Sequence, residues 1–547
     1  MRVYLFLVLC LLVRSAVAGA VDSVVAEHFR LARSRGFETR EAFNRSRMFL
    51  QGWLSYKDEE TALFPQRFIQ PGERLWTPEN AAADLYPFMV LAAFYTDREL
   101  YHGLLRQTLA DELRLTTVTS GLVTAYDLIG DTLVARDLDR LIFGTSEYIK
   151  DALVPIAEVT GREVWLHRQE ELVRAVLRAS PVATSFGNIP SGNAEVNGEM
   201  LQSLARLAAM SGDPYYLDWI DLLLRVYLRE ILPRSGGLPC HHWDFETGNG
   251  DDILRLRDHG AEILGGLVLG CRVLGEKRPG SEKKYEESIR RMLDRVLEIG
   301  TNEDGLFYNA VGISSGEVRN ERLSDCWGYN YQAFYAFDPD HYRTHIGKVL
   351  GRMGKYRNYP WEGDISQKGR WMDGYADAIE GALALLNRIP VREGFDWVDS
   401  EIKIMYSAQK EDGTIEGWHG DGNFARTALM YGLYKSQGTY LLPYRDDLRI
   451  GAAPGDGELY ISIESETPYE GRLHFDYLRH KLVFGFQRNY PRINEFPEWA
   501  PVEFTRFYRL LYLDEDRRQD HLGWDLVQGI PVKLDGREPL RIIVKRP

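Results

Sequence analysis

Cysteine is nearly absent from this 547-residue chain, and the four that occur do not make a framework. Cys10 sits in the apolar N-terminal run, leaving Cys240, Cys271 and Cys326, an odd number with room for at most one bridge, such as Cys240 to Cys326. No CxxC, HExxH, phosphate-loop or GxSxG string occurs, which argues against a structural zinc, a zincin, a nucleotide hydrolase or an α/β-hydrolase. Basic charge is also short, at 66 Lys and Arg against 80 Asp and Glu, for a formal net charge of −14. Such a surface disfavours nucleic acid and anionic membrane as partners. Beyond the N-terminus there is no apolar run long enough to span a bilayer, and no low-complexity linker.

The N-terminal run itself has the make-up of a secretory signal over residues 1–20. Arg2 precedes apolar Val3 to Val13, and Ser-Ala-Val-Ala-Gly-Ala follows with small residues spaced for cleavage after Ala18 or Ala20. Cleavage would also remove Arg2 and Arg14, making the remainder two units more acidic. The expected location is secreted or periplasmic.

At 44% hydrophobic content the chain can bury a large core, and its length suits two domains. Up to about residue 440 the pattern is helical. Glu170 to Arg178, Tyr216 to Leu232, Glu282 to Ile299 and Phe395 to Ala408 space apolar residues three and four apart with charges between, as helices wet on one face do. Other stretches, Ala81 to Tyr95, Met200 to Met210, Ile263 to Leu274 and Ala378 to Leu386, are apolar and rich in Ala and Gly almost all round, as helices packed on several sides are. Each of the second kind follows a polar opening with small residues. Openings occur at Asn80–Asp84, Asn193–Glu199, Asp258–Glu262, Asp325–Tyr329, Asp373–Asp377 and His419–Asn423. Helical hairpins closing into a ring would bring these openings to one mouth. Beyond Tyr440, short alternating segments at Glu458 to Glu464, Lys481 to Arg488, Arg506 to Asp514 and Leu540 to Lys545 predict antiparallel strands. The expected domains are therefore an α/α toroid over 21–440 and a β-sandwich-like domain over 441–547.

The openings carry carboxylate pairs four residues apart: Glu195 with Glu199, Asp258 with Glu262, and Asp373 with Asp377. Acids in a first turn also cap amides and suit the helix dipole. Their recurrence beside His and Trp favours a site, because acid–base work on a glycosidic bond needs two carboxyls across a cleft. His241, His242 and His259 lie close in sequence, yet adjacent loop histidines rarely chelate one ion, so hydrogen bonding to hydroxyls is the expected role and no metal or cofactor is predicted. Trp76, Trp327, Trp371 and Trp418 at the openings offer indole faces for sugar rings. Arg322, Arg357, Arg370 and Arg426 are placed to pair with a uronate.

The strings Trp76-Thr-Pro-Glu-Asn80-Ala-Ala-Ala-Asp84-Leu-Tyr-Pro87 and Trp371-Met-Asp373-Gly-Tyr-Ala-Asp377, with the signal, the helical repeat and the β tail, resemble the six-hairpin glycosidase superfamily, in particular bacterial glucuronidases and unsaturated uronyl hydrolases. That resemblance implies a mainly α fold, a six-hairpin (α/α) toroid followed by a small antiparallel β domain, and glycoside hydrolysis of a uronic-acid-containing oligo- or polysaccharide. By position in the openings, Glu262, Asp325 and Asp373 are the expected catalytic carboxylates. Trp76, Glu195, Glu199, His241, His242, Asp258, His259, Trp327, Tyr329, Trp371, Asp377, Trp418, His419, Asp421 and Arg426 are the expected substrate contacts. The expected partner is carbohydrate, with oligomeric state open. Two alternatives stand beside this: a polysaccharide lyase or sugar epimerase using Tyr329, Tyr331, His259 or His419 as base, and a non-catalytic carbohydrate-binding protein.

Overall fold

The computed structural model describes residues 2–67, 74–361, 372–415, 422–515 and 517–546, without the side chains of 2–22, 258 and 259. Trp371, Trp418, His419 and Asp421 therefore lie outside the described residues, as do the side chains of Asp258 and His259. The chain divides into two compact units, each assembled from separated segments. One comprises Met1–Asn44, Tyr431–Leu478 and Glu498–Pro547; the other comprises Arg45–Met430 and Arg479–Pro497.

The helical unit is an α/α toroid. Its amphipathic members bury one stripe: in Lys283–Gly300 the buried residues are Tyr285, Ile289, Met292, Leu293, Val296 and Gly300, which repeat at helical spacing. Val164–Ala179, Pro214–Arg225 and Arg392–Tyr406 behave alike. The inner members are buried almost all round. In Ala194–Ser211 every residue from Ala194 to Ala209 is buried; Asn193 caps its start by accepting the Glu195 amide at 3.0 Å, and left-handed Gly212 ends it.

Among the described residues the inner ring has seven segments: 78–96, 138–160, Ala194–Ser211, Glu262–Lys277, Trp327–Phe337, Met372–Leu386 and Asn423–Lys435, the last belonging to this unit as far as Met430. Successive members pack on one another, and the ring closes where the Gly422 amide donates to the Asp84 carbonyl at 2.9 Å. Six of the seven are the openings expected from sequence. The seventh, 138–160, falls in the double-length gap between Asp84 and Glu195. Asp137 caps it through the Arg140 amide at 2.8 Å. Both 78–85 and 148–153 widen into turns bonded i to i+5, a local irregularity often found at functional sites.

Glycines set the spacing within the ring. A Cβ on Gly328 would lie 2.5 Å from Gly381 Cα, and one on Gly198 would lie 2.4 Å from the Glu262 carbonyl carbon, so these helices touch backbone to backbone.

In the other unit, two antiparallel sheets share one core. The five-stranded sheet runs Arg449–Pro454, Glu458–Glu464, Leu540–Lys545, Phe507–Tyr512, Arg517–Leu522, and the three-stranded sheet runs Tyr440–Leu442, Tyr469–His474, Ile530–Leu534. Ile461, Leu510 and Ile542 from the first meet Leu473 and Val532 from the second. The expected strand Lys481 to Arg488 is instead a wide helical turn, His480–Phe484, in the helical unit. Gly485 at φ 76 ends that turn, and burying Val483 and Phe484 on one side gives their spacing a helical use.

Candidate functional site

A partly open cavity of about 500 Å³ lies within the helical unit. Six inner segments contribute to its wall from near their N-terminal ends, through Glu79, Asn80 and Asp84; Arg140, Phe143, Glu147, Lys150 and Asp151; Glu262; Cys326 and Tyr329; Asp373 and Asp377; and Asn423 and Arg426. Gln66, Arg67, Thr77 and Arg136 add one edge, and Ile493 and Asn494 come from the returning segment 479–497. That segment is locked by buried ion pairs. Arg492 pairs with Glu158, Arg388 reaches Glu495 at 2.6 Å, and the Arg206 guanidinium donates to the Ile493 carbonyl at 3.1 Å.

On one wall, Asp377 and Glu380 share the Arg426 guanidinium. Arg426 Nε lies 2.7 Å from Glu380 Oε2, and Nη2 lies 3.3 Å from Asp377 Oδ1. The Tyr329 hydroxyl donates to Glu380 at 2.9 Å and to Asp377 at 3.3 Å, and Thr427 Oγ1 donates to Glu380 at 2.5 Å. Burial, then the nearby charges of Asp373, Glu380 and Asp325, hold the Asp377 carboxyl well above the usual carboxylate range despite Arg426. One turn earlier, Asp373 accepts the Asn423 side-chain amide.

Elsewhere in the lining, Lys150 lies 2.5 Å from Glu262 and 2.6 Å from Asp151, and Gln202 donates to the other Glu262 oxygen. The Asn494 amide reaches Asp151 at 2.5 Å. Burial raises the Asp151 carboxyl to about 8; Lys150 opposes the rise, and Glu147 and Glu262 reinforce it. Lys150 is driven upward by its carboxylate neighbours against its own burial. Glu79 pairs with Arg136 at 2.8 Å, and the more exposed Arg140 stands 3.8 Å from it with its guanidinium over the Phe143 ring.

Of the expected catalytic residues, Glu262 and Asp373 line this cavity. Asp325 does not: it is buried behind the wall, accepting the Cys326 amide at 2.8 Å, and acts on the site through its charge on Asp377. Of the expected contacts, Tyr329, Asp377 and Arg426 line it. Trp327 is fully buried edge-on to Trp397, and Trp76 is buried against Tyr148, so both indoles are packing wedges and neither offers a face to a sugar. His241 and His242 brace the start of the Ala194 helix through their backbone, the His241 carbonyl accepting the Ala194 amide at 2.8 Å. Glu195 and Glu199 are buried outside the lining. Cys240, Cys271 and Cys326 are free thiols, so no bridge joins Cys240 to Cys326. Lys150, Asp151, Glu147, Phe143, Arg140 and Asn494 were not anticipated. The clue to most of them was the missing opening between Asp84 and Glu195; for Asn494 the sequence carries no comparable clue.

None of the protein-family models matches the chain, and neither does any curated protein. Solved structures similar to it include an unsaturated glucuronyl hydrolase from a Bacillus species, at 12% identity over 55% of this chain and 88% of that one, TM-score 0.39. An α-1,6-mannanase from a Salegentibacter species aligns at 12% identity over 59% and 95%, TM-score 0.42. A cellobiose 2-epimerase from Spirochaeta thermophila aligns at 12% identity over 71% and 95%, TM-score 0.43. Overlaps of this size transfer neither activity nor residue roles.

Proposed function

We propose that the chain is a carbohydrate-processing enzyme, a glycoside hydrolase acting in this cavity on uronic-acid-containing oligo- or polysaccharide, and that it is exported through its N-terminal signal. The observation that carries the reading is a pair of carboxyls one helical turn apart in the cavity lining: Asp377, whose hold on a proton is raised by burial and neighbouring acids, and Asp373, held by an amide donor. Glycosidic cleavage needs one carboxyl that gives a proton to the leaving oxygen and another that serves the attacking water, and the upward shift of Asp377 suits the first role. Asp377 gives its proton to the leaving glycosidic oxygen as that bond breaks, and Asp373 takes the proton of the attacking water. Glu262, ion-paired to Lys150, supplies negative charge opposite the developing oxocarbenium ion. Arg140, at the edge and loosely held, pairs with a uronate carboxylate, and Phe143 beside it offers a ring face. A cavity of about 500 Å³ suits one or two sugar rings.

Two features weigh against the alternatives. The Tyr329 phenol donates to two carboxyls and is pushed far above its ordinary range by burial, so it retains its proton and makes a poor base for a lyase or epimerase. Burial of Trp76 and Trp327 removes platforms that a binding protein would use.

The test is a screen of uronic-acid oligosaccharides read by new reducing ends and by ultraviolet absorbance. Hydrolysis in the wild type should fall about 10²-fold or more in Asp377→Asn and in Asp373→Asn, the usual worth of general acid–base catalysis. Near wild-type rates in both variants would overturn the assignment, and an ultraviolet-absorbing product would replace hydrolysis by elimination.

A further inference from the structure

We propose that Glu147, Asp151 and Glu199 form a calcium site in the wall of the cavity. The three carboxylates come from two inner segments: Glu147 ends Leu138–Glu147, Asp151 lies in the wide turn Tyr148–Leu153, and Glu199 lies early in Ala194–Ser211. One oxygen from each falls within 4.8 Å of the others. Oxygens on opposite sides of a calcium ion, each at roughly 2.3–2.6 Å, stand about that far apart.

Glu199 supplies the independent sign of a ligand. Its side chain is fully buried, and neither carboxylate oxygen has a hydrogen-bond partner. A buried carboxylate with both oxygens unsatisfied is rare, because nothing replaces the water it has lost. Local cations do not account for it. Lys150, the ammonium beside the cluster, is already divided between Asp151 at 2.6 Å and Glu262 at 2.5 Å, and Glu195 adds a further buried acid nearby. A divalent ion would neutralise the excess and complete the Glu199 oxygens in one step.

The donor set names the ion class. All three ligands are carboxylate oxygens, with neither imidazole nor thiolate, which selects a hard cation. A buried cage of three carboxylates suits calcium, whereas magnesium usually keeps most of its waters and takes only one or two protein carboxylates. Glu147 and Asp151 also face the cavity while Glu199 lies behind them, so the ion's remaining positions open toward the cavity. If the cavity holds sugar, as proposed above, those positions would take hydroxyl or carboxylate oxygens of the substrate.

The experiment needs no substrate, so its result is independent of the hydrolase reading. Full-length protein is stripped with EDTA, dialysed, and titrated calorimetrically with CaCl₂, MnCl₂ and MgCl₂ in parallel, with melting curves at each concentration. Wild type should bind one equivalent of Ca²⁺ and melt at progressively higher temperature as Ca²⁺ rises. Glu199→Gln should lose Ca²⁺ affinity at least about 10-fold, the lower end of what even outer-shell changes cost a metal site. In EDTA it should be about as stable as wild type, because neither Glu199 oxygen has a hydrogen-bond partner to lose, so failure to fold is not a confounding outcome. Absence of Ca²⁺ binding below about 1 mM, the weak end of protein calcium sites, would overturn the proposal and leave the cluster neutralised by protons. Unchanged affinity in Glu199→Gln, or stoichiometric binding of Mn²⁺ alone, would overturn it equally.

Discussion

Replacing Arg426 with Met tests whether the buried charge system behind Asp377 is organised as its geometry indicates. The guanidinium is almost fully enclosed and holds Glu380 through Nε at 2.9 and 2.7 Å and Asp377 through Nη2 at 3.3 Å. Methionine keeps much of the volume but strands Glu380 as a buried carboxylate with only the Tyr329 and Thr427 hydroxyls as donors. Removing one partner of a buried pair costs about 3–5 kcal/mol, some hundred-fold or more in the unfolding equilibrium. Glu380→Gln in the same chain removes the stranded charge, so Arg426→Met/Glu380→Gln should be more stable than the sum of the single losses by about 2–3 kcal/mol, the upper range for residues in direct contact. Urea unfolding of the four proteins, followed by far-ultraviolet circular dichroism, closes the cycle. Additive losses, or an Arg426→Met cost under about 1 kcal/mol, would refute a pair that works as a unit.

The pH dependence follows from Asp377. Its folded pKa lies above the unfolded value, so both its contribution to stability and its readiness to donate a proton are complete at low pH and fade as pH rises through the folded pKa. Hydrolysis should therefore show an alkaline loss of kcat/KM, and the residual activity of Asp377→Asn should lack that limb; an identical limb in the variant would assign it to another group. Gly328→Ala places a methyl 2.5 Å from Gly381 Cα and should destabilise the helical unit by about 1–3 kcal/mol in thermal melts, whereas Gly212→Ala, with nothing within 4 Å but a φ of 66, should act only through local backbone strain. Equal costs at both sites, with no added penalty at Gly328, would remove the close helix approach as a constraint. Mass spectrometry of exported protein should find the N-terminus after Ala18 or Ala20, and an intact Met1 there would count against the signal.

The inner helices were legible because packing on all sides leaves a composition rich in Ala and Gly, and the amphipathic helices because their spacing has one period. Leu138–Glu147 escaped notice because it starts on Asp137-Leu-Asp139-Arg140, which reads as an exposed, charged helix. Only Gly144, whose Cβ would meet Pro78 at 2.7 Å, marks the close approach. The tryptophans misled because an indole at a helix start is as useful for wedging helices as for stacking a sugar, and only burial distinguishes the two. Asp377 was expected as a substrate contact, yet the upward shift of its carboxyl depends on burial, on its helix neighbours Asp373 and Glu380, and on Asp325 against Arg426, and the approach of these last two is tertiary and has no local signature. Asn494 was hidden for the same reason, its segment being separated from the rest of the helical unit by the strands from Tyr440 to His474.

The return of that segment has a consequence for how the protein is made. The first lining residue of the cavity is Gln66 and the last is Asn494. At a synthesis rate of roughly 5–20 residues per second, the two leave the ribosome at least about 20 s apart. During that interval Glu158 awaits Arg492, and Asp151, with Lys150 already beside it, awaits Asn494, so the growing chain carries acids that still lack part of their partners. Export while unfolded would spare the chain this stage, because no part of the cavity wall would then be asked to persist before its last piece arrives.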